Sequence, residues 1–263
     1  MNKETKPLKV FAIVSIVIAV LFMTFVKLTV VNKNNDEEEA RKMLAEIQKE
    51  FGGLEKAIDS GDLEAIASHK ASDQQVAQGE YGEYEKFTKK TINLFAELRQ
   101  AYQLELEAIG WSKILDPERL SRDNGLHESK YIIVRANQIV DKYIRKSNEL
   151  IDDIPNLVDE LKLSESSKAE FKSSYVEGLK ESKVRMQYQW SLEQQVVKEF
   201  EKILPLFEDK NSWSVENDQF LFVQDNDVEL FNNAMKTIND LVEKQLESQK
   251  QGLREAQEAL NIN

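Results

Sequence analysis

The chain has no cysteine, so cysteine nucleophiles and lipid attachment through a cysteine are both excluded. Complete absence of thiols also suits a compartment in which stray thiols oxidise. Histidine is nearly absent too. The two present, His69 and His127, belong to no HExxH or other ligand spacing. Neither follows a glutamate at the Glu-x-x-His spacing that a di-iron bundle requires. Glycine and proline are scarce, nine and four in 263 residues, and no Ser/Gly/Pro-rich linker divides the chain. There is no G-x-S-x-G elbow, glycine-rich phosphate loop or dinucleotide fingerprint. The acidic stretch at Asp225 lacks the glycine and the twelve-residue ligand ladder of a calcium loop. No catalytic residue, cofactor or metal ligand is therefore expected. Only an enzyme built from dispersed carboxylates escapes this exclusion, because acid/base carboxylates need no local motif.

What the chain does have is one long apolar run. Residues 10–26 carry no charge, and past Lys27 the apolar character continues to Val31. A bilayer is crossed by about 20 apolar residues, whereas the apolar part of a secretory leader is about 7–15 long. A cleavage site needs small residues one and three positions before the cut, and between Phe25 and Asn35 there is no Ala, Gly or Ser. Residues 10–31 are therefore expected to stay in the lipid bilayer as a transmembrane signal anchor. Lys27, one turn from the end, can run its stem through hydrocarbon to the headgroups. Residues 1–9, with Lys3, Lys6 and Lys9, form a short basic tail expected on the cytoplasmic side, and residues 32–35 form a connector. The expected location is a bacterial inner membrane crossed once, with the C-terminal region in the periplasm or outside the cell.

Of the 35 basic and 47 acidic residues, four lysines and one glutamate lie within residues 1–32. That leaves 31 and 46, a formal charge of −15 on the rest. Such a region repels nucleic acid and anionic headgroups. About 230 residues are enough for one sizeable core.

Residues 36–263 read as long helices. Acids at 36–39 favour a helix start, and Gly52-Gly53 is expected to break or bend that helix near its end. A shorter helix is expected to restart at Gly61-Asp62 and run to about Gln78. The next, 81–109, has a heptad-like seam of Tyr84, Phe87, Leu94, Leu98 and Ala101. Asp116 and Pro117 mark another start, and 123–126 a turn. A helix over 128–161 carries Ile139, Tyr143, Leu150, Ile154, Leu157 and Leu161, with Pro155 expected to kink or divide it. Ser164 can cap a helix to about Leu204, whose buried face would use Phe171, Tyr175, Leu179, Met186, Trp190, Val197, Phe200 and Leu204. The last helix is expected to begin with a capping box of Asn226 and Glu229, followed by Val228, Phe231, Met235, Ile238 and Val242. The fold class is thus all-α: an N-terminal transmembrane helix, then an elongated up-and-down helical bundle with one short β-hairpin.

The hairpin, over about 212–223, comes from "WSVENDQFLF" at 213–222, which alternates with period two about Asn217-Asp218. A two-residue turn there pairs Trp213 with Phe222 and Val215 with Phe220 on one apolar face. A lone two-stranded hairpin is marginal in water, so this face needs a cover. Either the bundle itself supplies the cover, or these four residues contact an envelope protein partner.

Two stretches carry a resemblance. "ELIDDIPNLVDELK", 149–162, resembles the IPNLV stretch of the LemA family of membrane-anchored helical bundles, where it falls earlier in the outer region. Residues 196–238 are similar in layout to a family of bacterial envelope lipoproteins of unknown function: an apolar helix, a short aromatic hairpin, then Phe231-Asn232 on a closing helix. This chain departs by lacking the lipidated cysteine. Both resemblances imply a bacterial envelope helical protein and carry no catalytic residue. The expectation is a non-catalytic binding or scaffolding role, set against a ligand-sensing bundle acting through a partner and a carboxylate-based enzyme.

Overall fold

Three glutamates, Glu37 to Glu39, open the first helix of the computed structural model, where negative charge meets unpaired N–H groups. Residues 37–60, 63–216 and 219–260 are described. The expected tail, anchor and connector lie outside them, as do the turn residues Asn217-Asp218. Among the described residues, no helix is long and apolar enough to cross a membrane.

The described chain is mostly helical. Helix α1 is Glu37–Ser60, α2 Leu63–Ser68, α3 Gly79–Ala108, α4 Pro117–Arg122, α5 His127–Leu157, α6 Glu165–Ile203 and α7 Asp225–Leu260. Strands β1, Trp213–Glu216, and β2, Gln219–Phe222, precede α7. The start signals at α4 and α6 act as read. The Asp116 side chain accepts from the Arg119 N–H at 2.7 Å with Pro117 in first position, and Ser164 Oγ accepts from the Ser167 N–H at 3.1 Å. Between α4 and α5, Gly125 takes φ +66°, a conformation costly for a residue with a Cβ.

Three boundaries differ from the reading. Gly52-Gly53 does not interrupt α1; a Cβ on Gly53 would stand 2.8 Å from His69 Cε1, so this glycine makes room for an imidazole. Pro155 does not divide α5. It lies in the last turn, after which the chain tightens into a 3₁₀ turn at Val158–Glu160. Near a helix end the missing N–H and the ring clash disturb little of the remaining ladder. Helix α7 begins at Asp225, which puts Asn226 inside its first turn rather than before it, so the Asn226/Glu229 capping box does not form.

The described residues divide into two compact units. One comprises Ala101–Tyr143 and Trp190–Gln245; the other comprises 37–100, Ile144–Gln189 and 246–260. In the first, Tyr102 of α3 packs edge-on against Tyr143 of α5 and Trp190 of α6, and Trp111 against Phe200. In the second, Phe171 and Tyr175 of α6 meet Tyr84 and Phe87 of α3 with ring centroids 4.9–5.2 Å apart. Every position read as the buried face of α6 is buried. Each large apolar side chain so enclosed contributes about 1.5–3 kcal/mol. The α3 seam differs. Leu94, Leu98 and Ala101 are only half-buried, while Thr88, Ile92, Phe95, Arg99 and Tyr102 are buried.

The largest departure lies at 69–78. The expected helix to Gln78 stops at Ser68, and the next ten residues form an irregular strap. Side chains of α1 and α3 capture its backbone. Glu85 accepts from the N–H of Val76 and of Ala77, at 3.0 and 2.8 Å; Glu50 accepts from Ser72; Asn93 both accepts from and donates to Ala71. Lys89 closes the arrangement. Its ammonium lies 2.9 Å from Glu85 and 3.0 Å from Glu46, and donates to Ser72 Oγ and the Gln74 carbonyl. Burial alone would depress Lys89, but its bonds to Glu85 and Glu46 hold it above the ordinary lysine value.

Replacing Lys89 with Met strands the enclosed Glu85 carboxylate and leaves Glu46 with only the exposed Lys49 at 3.2 Å. It is expected to cost about 3–5 kcal/mol in a thermal melt. The Val76 and Ala77 amides should lose protection from hydrogen exchange. Protection equal to that of the parent chain would show that the strap is held by something other than this ionic clamp.

Candidate functional site

The hairpin grows out of the end of α6. After Ile203 the chain tightens into a 3₁₀ turn, Leu204–Phe207, which drives the Phe207 ring fully into the interior. Four aromatic rings surround it: Phe220 at 4.8 Å, Trp213 at 5.3 Å, Phe222 at 5.5 Å and Phe231 of α7 at 6.0 Å. Edge-on and tilted pairs of this kind each add about 0.5–1.5 kcal/mol beyond burial. The Trp213 indole N–H donates to the Phe207 carbonyl at 3.2 Å, satisfying the one polar atom of that side chain.

The strands pair in the register read from the alternation, Trp213 with Phe222 and Val215 with Phe220. Their four side chains meet different fates. Trp213 and Phe220 are buried, at 7% and 2% exposure; Phe222 is half-buried; Val215, nearest the turn, is 39% exposed. The bundle therefore supplies most of the cover that the hairpin needs and leaves Val215 open.

A second structure props the hairpin from outside. Lys210 donates to the carbonyls of Leu120 and Asp123, at the C-terminal end of α4, where a cation offsets partial negative charge. Its ammonium also lies 5.4 Å from the centroid of the Trp213 ring. The α4 corner is itself rigid. The Arg119 guanidinium donates to the Lys113 and Ile114 carbonyls and to Ser129 Oγ, and pairs with Asp123 at 3.3 Å. Asp123 in turn accepts from the Glu128 and Ser129 N–H groups and from the Ser129 hydroxyl, at 2.7–2.9 Å. Burial would raise the Asp123 carboxyl, but the bonds from Ser129 and Glu128 and the neighbouring Arg119 charge outweigh it and hold the group below the usual aspartate value. This corner was not singled out in the sequence beyond its cap and turn, because Arg119 and Asp123 look like any exposed charged pair one helical turn apart.

Between β1 and α4 runs a groove of about 570 Å³, with Trp213, Ser214 and Val215 on one side and Pro117, Glu118 and Ser121 on the other. The other unit has a groove of about 430 Å³ along the strap. There Lys89 and Lys90 are already paired, Lys89 as above and Lys90 with Glu160 at 2.6 Å.

One buried carboxylate has the environment that acid/base chemistry uses. Glu193 of α6, 1% exposed, accepts from the Tyr102 hydroxyl at 2.7 Å and from the Gln245 amide at 3.0 Å. Burial pushes its carboxyl above the ordinary glutamate value, against the lowering effect of both bonds. It lines neither of these two grooves. His69 is half-buried beside Gly53, and His127 starts α5. Among the described residues no group of three or more His, Asp or Glu side chains is placed to hold a metal ion. Comparison of the chain with protein-family models, with curated proteins and with solved structures finds no match.

Trp213→Ala is expected to lower stability by about 3–5 kcal/mol, read as a drop in melting temperature, because it empties space beside Phe207. An unchanged melt would mean the indole serves a surface role instead. For Glu193 the sign runs the other way from a surface acid. A carboxyl raised in the folded state binds its proton more tightly there than in the unfolded chain. Stability on its account therefore falls as pH rises from about 4.5 through the raised value. Glu193→Gln should abolish that decline and melt at or above the parent at pH 8. A variant that matches the parent at low pH but melts lower at pH 8 would show that the ionised form is needed.

Proposed function

We propose that this chain is a single-pass protein of a bacterial inner membrane. Residues 10–31 anchor it, and residues 36–263 form an elongated up-and-down bundle on the periplasmic or outer side. Its role is non-catalytic: it binds or holds another envelope component through the hairpin end of the unit formed by Ala101–Tyr143 and Trp190–Gln245. The anchor rests on the uncharged run and the missing cleavage signal. The two family resemblances point to the same setting.

The observation that carries the binding role is the contrast within one hairpin. Trp213 and Phe220 are locked into an aromatic core, while Val215 and the outer edge of β1 stand open beside a groove with a rigid far wall. Rigid support under an open polar edge is what a recognition surface requires.

A photo-crosslinking amino acid placed at Val215 of the full chain, irradiated in intact membranes, should capture one envelope protein. The same residue placed at Val184, exposed on α6 in the other unit, should not. Carbonate extraction should leave the chain in the membrane pellet with residues 1–9 still attached. Recovery of a shortened form in the aqueous fraction would overturn the anchor, and equal capture from both positions would overturn the assignment of the contact surface.

A further inference from the structure

The register of the two strands determines which backbone groups of β1 look outward. In an antiparallel pair, hydrogen-bonded and non-hydrogen-bonded positions alternate. The Val223 N–H donates to the Ser212 carbonyl at 2.9 Å, which makes Ser212/Val223 a hydrogen-bonded pair. Ser214/Leu221 and Glu216/Gln219 are then the others, and Trp213/Phe222 and Val215/Phe220 are the non-bonded ones. The backbone N–H and C=O of Trp213 and of Val215 therefore point away from β2. None of these four groups has a hydrogen-bond partner among the described residues. Trp213 and Val215 are among the residues that line the groove whose far wall is the first turn of α4.

We propose that this edge takes up an extended, basic peptide segment of a partner as a third strand, antiparallel or parallel to β1. The proposal rests on the binding role assigned above to the hairpin end. Four outward backbone groups spaced along a strand match an extended chain and no compact ligand. A four-residue strand spans about 14 Å and lies about 4.8 Å from its neighbour. Alternate side chains of the added strand drop toward Pro117 and Val215, which asks for small apolar residues. The others stand in water beside Glu118. Charge selects the sign. Asp116 and Glu118 line the groove against the single lysine there, Lys210, which keeps its charge while donating to the Leu120 and Asp123 carbonyls. Asp116 also caps α4 and Glu118 lies 3.7 Å from Arg122, so the charged residues of the lining leave an excess of one negative charge within a region of formal charge −15. A second copy of this chain would bring another region of formal charge −15 against the same carboxylates, which disfavours self-pairing.

The test uses the full chain in detergent micelles and the dye-labelled peptide acetyl-Lys-Val-Thr-Val-Lys-amide. A twin peptide carries N-methyl groups on its three central residues. The parent peptide should bind, raise hydrogen-exchange protection of the Trp213 and Val215 amides, and leave that of Ser214 and Leu221 unchanged. The twin should bind far more weakly, because its three central residues can no longer donate and their methyl groups block close approach to the edge. Val215→Pro removes one outward N–H without touching the bonds to β2, and should weaken binding about tenfold, the equivalent of one hydrogen bond. Glu118→Lys should weaken it several-fold and reduce its salt dependence. Equal binding of the two peptides overturns the proposal whether or not the proline variant folds. Protection of Trp213 and Val215 that rises with protein concentration in the absence of peptide also overturns it, in favour of a second copy. If the Val215 crosslink captures an envelope protein while both peptides fail, strand addition falls and the binding role stands. If the peptides behave as expected and no crosslink forms, the edge pairs strands but the envelope assignment falls.

Discussion

The ammonium of Lys89 lies between the carboxylates of Glu46 and Glu85, enclosed with them beneath the strap. A charge taken out of water must be met by opposite charge or by hydrogen bonds, or folding loses several kcal/mol to each such group. Both units are shaped by this requirement. Around Lys89 both carboxylates satisfy the cation, and Glu85 also accepts from the backbone of an otherwise irregular segment while Glu46 accepts from the Ser72 hydroxyl. At Arg119 one guanidinium is shared among two carbonyls, a hydroxyl and Asp123, and so joins α4 to the start of α5. At Glu193 no cation answers, and the carboxyl rises toward its neutral form between a tyrosine hydroxyl and an amide. These are three solutions to one constraint, and each places polar side chains where an apolar helix face would ordinarily lie.

The hairpin shows the same economy of parts. Two short strands have little stability of their own. Their inner face is consumed in holding the hairpin to Phe207 and Phe231, with the indole N–H spent on a carbonyl. Little of the side-chain surface is then left for recognition, and what remains is the backbone edge with Val215. The α4 corner, stiffened by Arg119, Asp123 and Lys210, supplies a wall that does not depend on an occupant. This is why the edge of β1, rather than its aromatic residues, carries the proposed contact.

Much of this was legible in the residues themselves. The face of α6 was, because long side chains at helical spacing leave one way to bury them all. The hairpin register was, because slipping by one residue would turn every apolar side chain over. The Asp116 cap was, because it is local. The strap at 69–78 was not legible. Its sequence tolerates a helix, and acceptors from flanking helices, the carboxylates of Glu39, Glu50 and Glu85 and the amide of Asn93, draw its N–H groups elsewhere. The α3 seam was misread for a related reason: Thr88, Lys89 and Arg99 count as surface residues until their partners are known. At the hairpin, the four candidate residues were found together, but which of them would be core and which open was not evident from alternation alone.

The sequence by itself determined the helical class, the place and pairing of the hairpin, and the absence of the usual catalytic and metal-binding motifs. These follow from spacing, composition and the preferences of neighbouring residues. Tertiary structure alone decided which charges go inside, where the strap leaves the helix, and which edge of the hairpin stays open. Each of those depends on partners supplied by segments distant in the chain, and hydrogen bonds and ion pairs across such separations leave no periodic trace.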